Sequence, residues 1–118
     1  MNNQNITTLL PDIELTENKL ILTNNAVQLL GIQSGDRVCI NYYMENNQPI
    51  PLIGTPDMFG INDGNKLTKT NTVSYRGEQN KFLQKYGTKF VLEKFKSGFK
   101  LKNTETNSSE ISLTIINK

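Results

Sequence analysis

A chain of 118 residues, 36% apolar and without Trp or His, has room for one domain with a modest core and little apolar surface to spare. The missing His and the single Cys remove the usual zinc ligand sets and the usual base for a catalytic thiol. Net charge is only +2, but it is unevenly placed. Residues 1–65 carry two basic residues against seven acidic ones, net −5, and residues 66–102 carry ten against two, net +8.

In chain order, Met1 to Asn5 is uncharged and polar, so no signal peptide is expected, and no apolar run approaches the ~20 residues that cross a bilayer. Residues 1–11 read as an extended arm ending at Pro11, residues 12–102 as a single β-rich domain, and residues 103–118 as a polar linker with a closing strand. Ile13 to Thr16 and Lys19 to Thr23 flank the polar pair Glu17-Asn18 and predict a β-hairpin. Asn24 or Asn25 then caps a short helix, Ala26 to Leu30, which Gly31 ends in the left-handed conformation, with Ile32 folding back on the last turn. From Arg37 to Met44 a strand alternates, with Val38, Ile40, Tyr42 and Met44 on one face and Cys39, Asn41 and Tyr43 on the other. Cys39 reads as a small buried hydrophobe.

Asn46 to Pro49 is a turn, Ile50 to Ile53 a short strand, and Gly54 to Asn65 a loop rich in Gly, Pro and Asp. Thr72 to Arg76 is the next strand and Glu78 to Tyr86 a helix with Phe82, Leu83 and Tyr86 on one face, stopped by Gly87. Thr88 to Phe95 and Phe99 to Lys102 form a hairpin around Lys96-Ser97-Gly98, and Ile111, Leu113 and Ile115 mark the closing strand. Strand, short helix, glycine stop and strand thus occur twice, over residues 19–44 and 72–95. The expected class is mainly β with a minor α part: a small barrel or sandwich of about seven strands with two short helices, in which the two strand-helix-strand units are either a duplication or a coincidence of pattern.

Lys19-Leu-Ile-Leu-Thr, Ala26-Val-Gln-Leu-Leu-Gly-Ile and Ser34-Gly-Asp-Arg-Val-Cys-Ile together resemble the swapped-hairpin DNA-binding domains of AbrB-type regulators. The resemblance implies a strand-helix-strand topology and a dimeric nucleic-acid-binding protein. It departs from the family in lacking a Pro before the helix and in carrying net negative charge where the family presents basic residues. The second half, from Gly64 to Gly77 and Leu83 to Gly87, resembles small virion-associated proteins of tailed bacteriophages, which implies an auxiliary role in a particle assembled in the host cytoplasm.

No phosphate-binding glycine loop, EF-hand spacing or paired-carboxylate motif is present, so no catalytic residue, cofactor, metal, membrane or small-molecule substrate is assigned and the chain is expected not to be an enzyme. The chemistry-bearing feature is the basic half. Lys66, Lys69, Arg76, Lys81, Lys85, Lys89, Lys94, Lys96, Lys100 and Lys102 are interleaved with Tyr75, Phe82, Tyr86, Phe90, Phe95 and Phe99. Alternation places Phe90 and Phe99 in the core, while the lysines form a cationic face that needs an anionic counterpart. Nine of these ten basic residues are Lys, which favours point-charge contact over bidentate base reading. The expected function is non-enzymatic: a structural or auxiliary virion protein that docks its basic face on neighbouring capsid or tail subunits or on packaged DNA. The alternative is a small AbrB-like nucleic-acid-binding dimer.

Overall fold

A computed structural model describes residues 10–104. Apart from residues 10, 11, 103 and 104, the N-terminal arm and the C-terminal linker and closing strand expected from the sequence lie outside the described residues. Eight strands and three short helices alternate in the order β1 (Ile13–Leu15), β2 (Lys19–Leu22), α1 (Asn24–Leu30), β3 (Arg37–Glu45), β4 (Gln48–Gly54), α2 (Pro56–Phe59), β5 (Asn65–Lys66), β6 (Thr72–Ser74), α3 (Gly77–Gln84), β7 (Lys89–Phe95) and β8 (Gly98–Asn103).

All strands belong to one antiparallel sheet in the order β5-β3-β4-β8-β7-β1-β2-β6. The two edges meet: Leu67 bridges to Val73, and the Asn65 side-chain amide donates to the Ser74 carbonyl at 2.7 Å. The sheet is therefore nearly closed into a barrel, which leaves few unpaired edge groups. Its interior is filled by the alternate residues that the period of two selects, among them Ile13, Leu15, Leu20, Leu22, Val38, Ile53, Val73, Phe90, Phe99 and Leu101.

The strand order contains an internal twofold relation. Exchanging β1 with β5, β2 with β6, β3 with β7 and β4 with β8 returns the same set of neighbours, with β2–β6 and β4–β8 as the two self-related pairs. The repeated unit read from the sequence thus occupies two equivalent places in one barrel, its strands interleaved with those of its counterpart.

Three local expectations need correction. Thr23, not Asn24 or Asn25, caps α1, its Oγ1 accepting from the Ala26 amide at 3.1 Å. The two Asn side chains bond elsewhere, Asn24 accepting from Asn71 at 3.0 Å and Asn25 donating to Asp12 at 2.8 Å. The segment Gly54 to Asn65 is not all loop. Thr55 caps a single helical turn with Pro56 at its start, Asp57 in the first turn and left-handed Gly60 at its end, a complete start-and-stop grammar compressed into four residues. Asn103, expected in the linker, is the last residue of β8.

Gly31 closes α1 in the left-handed conformation as expected, at φ 68°, with Ile32 bonded back to Val27. The β3–β4 turn holds positive φ at both Asn46 and Asn47, the type I′ geometry that Asn tolerates better than most residues. At Gly98 the requirement is space: a Cβ there would stand 2.7 Å from the Phe59 ring, which α2 lays over the sheet. No helix among the described residues is long and apolar enough to cross a membrane.

Candidate polyanion interface

Helix α3 is anchored to the barrel by fully buried Leu83 and by Asn80, the one buried polar side chain among the described residues. The Asn80 amide donates to the main-chain carbonyls of Thr16 and Tyr75, and its carbonyl accepts from Gln84 at 2.7 Å. This fixes the helix against the barrel, with Tyr86 partly buried against the core and Phe82 turned outward. Phe82 is 38% exposed and packs edge-on against Tyr42 of β3 at 5.1 Å, with Tyr86 completing the cluster at 5.7 Å from Phe82. Of the three residues expected on one helix face, Leu83 is buried, Tyr86 is partly buried against the core and Phe82 is exposed. The Tyr42 hydroxyl is buried without a hydrogen-bond partner among the described residues. Desolvation, with smaller contributions from Tyr75 and Tyr86, pushes its titration well above the ordinary phenol value.

Lysines follow these rings. Lys85 lies over Phe82, its Nζ 5.3 Å from the ring centre, and Lys81 and Lys85 border a hollow with Tyr42, Phe82 and Glu78. On the other side of Lys85 a groove of about 390 Å³ runs between α3 and the β4–β8 pair, lined by Lys85, Tyr86, Lys100 and Lys102 with Pro49 to Pro51. Lys100 then reaches Phe95 at 5.0 Å, and Lys96 reaches Tyr43 at 4.8 Å and Phe95 at 5.8 Å. Tyr43 and Phe95 meet edge-on at 5.4 Å. Lys81, Lys85, Lys100, Lys102 and Lys96 are thus joined through shared hollows and rings into one tract, while Lys94, paired with Phe99 and 5.2 Å over its ring, lies on the other face of the β7–β8 pair. Two carboxylates belong to the tract: Glu78 in the hollow and Glu93, which pairs with Lys102 at 3.5 Å.

The remaining basic residues lie elsewhere. Lys66 is on β5 opposite Arg37, Lys69 is in the following loop, and Arg76 borders a separate hollow with Lys19. Lys89 faces Glu14 across the β1–β7 pair. The ten basic residues selected from the sequence therefore do not form one face. Five gather in the tract around α3, β7 and β8, and five do not.

Of the interleaved aromatics, Phe90 and Phe99 are core as expected, and Tyr75 is buried with them. Tyr42 and Tyr43 were missed as site residues. They belong to the acidic half of the sequence, and only the pairing of β4 with β8 places them beside the lysines. Cys39 is buried, its Sγ 3.6 Å from the Gly54 carbonyl, and burial, then the Asp63 carboxylate, push the thiol upward. That is the setting of an unreactive thiol.

No family model matches this chain, and neither the curated proteins nor the solved structures contain a match.

Proposed function

We propose that this chain is a non-catalytic docking domain whose α3–β7–β8 face binds an anionic partner. The observation that carries the reading is the gathering of Lys81, Lys85, Lys96, Lys100 and Lys102 with one ion pair among them. Like charges held this close repel, and an anionic surface relieves the repulsion. The proposed setting is the particle of a tailed phage, with neighbouring capsid or tail subunits as partners, a setting supported by the resemblance of the second half to virion-associated proteins. Capsid and tail reading frames beside this one would support that setting, and an unrelated gene neighbourhood would remove it.

The face itself is tested on immobilised polyanion across a salt series. Substituting Lys81, Lys85, Lys100 and Lys102 together by Gln is expected to weaken binding at least about tenfold at low salt and to flatten its salt dependence. Lys66→Gln with Lys69→Gln should leave affinity close to that of the native chain. Equal losses per charge removed in the two variants would mean that net charge, not this face, determines binding.

A second reading, a nucleic-acid-binding protein, is favoured by one specific observation: three of the tract's lysines lie over aromatic rings rather than over carboxylates. The dimer implied by the AbrB resemblance is not required for this reading, because both copies of the repeated unit sit in one chain.

A further inference from the structure

We infer that the ligand of the α3–β7–β8 tract is single-stranded nucleic acid, with unpaired bases stacking on Tyr43 and Phe95 and the phosphates tracking Lys96, Lys100 and Lys85. The inference rests on the basic docking face proposed above and puts nucleic acid in place of capsid or tail subunits as its anionic partner. An acidic protein surface would need only the ammonium groups. Here two rings, Tyr43 and Phe95, stay partly exposed outside the core beside those groups. Their ring centres are 5.4 Å apart, and each has a lysine Nζ about 5 Å away, Lys96 at 4.8 Å from Tyr43 and Lys100 at 5.0 Å from Phe95. A surface ring beside a cation matches a nucleotide, which offers a π-face and a phosphate side by side.

From there the groove of about 390 Å³ leads past Lys100 and Lys102 to Lys85 and the second aromatic cluster, Phe82 with Tyr86. Two aromatic steps joined by a lysine-lined groove make a path for a strand and not for a duplex. A duplex keeps its base faces stacked inside, and the rings here could meet only base edges. Base reading is also poorly provided for. Both arginines of the chain, Arg37 and Arg76, lie outside the tract, so bidentate contacts to guanine are not offered and binding should tolerate any sequence.

The test is fluorescence anisotropy with a labelled oligo-dT strand, a duplex of the same length, and labelled poly-L-glutamate, for the native chain and three double variants. Oligo-dT is expected to bind at least about tenfold tighter than the duplex. Tyr43→Leu with Phe95→Leu, which keeps apolar volume but removes the π-faces, should weaken oligo-dT about tenfold with the salt slope unchanged. Lys96→Gln with Lys100→Gln should reduce the salt slope by about 1.4, and Lys66→Gln with Lys69→Gln should leave oligo-dT affinity unchanged. Thermal melts establish that each variant is folded; if the leucine pair is not, the lysine pair carries the test through its slope. Duplex binding as tight as single strand, or a folded leucine variant that binds like the native chain, overturns the inference. Direct binding of labelled poly-L-glutamate with no measurable oligo-dT binding rejects nucleic acid while leaving the docking face standing. Failure to bind either polyanion rejects both.

Discussion

The halves β1–β4 and β5–β8 hold equivalent places in the barrel and differ almost entirely in what they present to solvent. Three residues beyond the facing pair Leu20 and Val73 come the helix caps Thr23 and Arg76, and seven residues beyond each cap comes a buried leucine, Leu30 or Leu83. Both hairpins turn on two residues, closed by Glu45 with Gln48 and by Phe95 with Gly98. Aligned on these landmarks, the lysines at 81, 94, 96, 100 and 102 fall where the first half has Gln28, Met44, Asn46, Ile50 and Leu52. The shared topology constrains inward positions in both halves to be apolar and leaves outward positions free. Charge has accumulated on one half only, which is what a surface with a single anionic partner requires.

Truncating the equivalent leucines probes the comparison with the largest effect. Leu30→Ala and Leu83→Ala should each cost about 2–5 kcal/mol, because each leaves a cavity under a helix that covers one place in the same barrel. Urea unfolding of the two variants checks this. A negligible cost for one would show that its helix is not a structural counterpart of the other. Smaller, and confined to the second half, is the effect of Asn80. Asn80→Ala strips partners from the carbonyls of Thr16 and Tyr75 and should cost about 1–3 kcal/mol. The first half has Val27 at the matching position, packed against the core, and needs no such bond. Asn80→Val would therefore be tolerated only if the helices were interchangeable, and an unfolding midpoint equal to the native one would show that they are.

The inward half of this arrangement was legible because strand alternation is local. Ile13 with Leu15, Leu20 with Leu22, and Phe90 state their burial within a few residues, and Gly31 states the end of α1. What could not be read depends on contacts between distant segments or on signals only one turn long. Helix α2 has four residues, too few for any periodicity, and β5 is two residues that become a strand only by meeting Arg37 and Val38. The lysine run was plain as charge, but its division into five residues on one tract and five elsewhere follows from β8 lying between β4 and β7. Nothing near Tyr43 in the sequence announces Phe95 and Lys96 as its neighbours.

The caps give the next comparison. α1 has a Thr23 side-chain cap, whereas Arg76 at the equivalent place in α3 makes no capping bond. Thr23→Ala should destabilise by about 1 kcal/mol, and Arg76→Ser should stabilise by a similar or smaller amount. If Arg76→Ser lowers the unfolding midpoint instead, the exposed guanidinium has a role in the fold that its contacts do not show.

The weakest effect appears only in alkali, where the first half contributes a raised thiol and a raised phenol, Cys39 and Tyr42, and the second half one raised phenol, Tyr75. Burial raises the Cys39 thiol above its ordinary 9.0, and burial raises the Tyr42 and Tyr75 phenols above 10.0. In all three cases the folded state favours the protonated form. Below the unfolded values both states hold the proton and stability is independent of these groups. As pH rises past 9.0 the unfolded chain loses the thiol proton first, so it binds fewer protons than the folded chain and stability falls until the folded value is passed. The phenols repeat the sequence from 10.0 upward. The urea midpoint should therefore be insensitive to all three groups near neutrality and decline in two stages in alkali. Cys39→Ala should remove the first stage and leave the second, separating the contribution of the thiol from that of the two phenols. A decline that begins at the same pH in Cys39→Ala as in the native chain would mean that some other group governs alkaline stability.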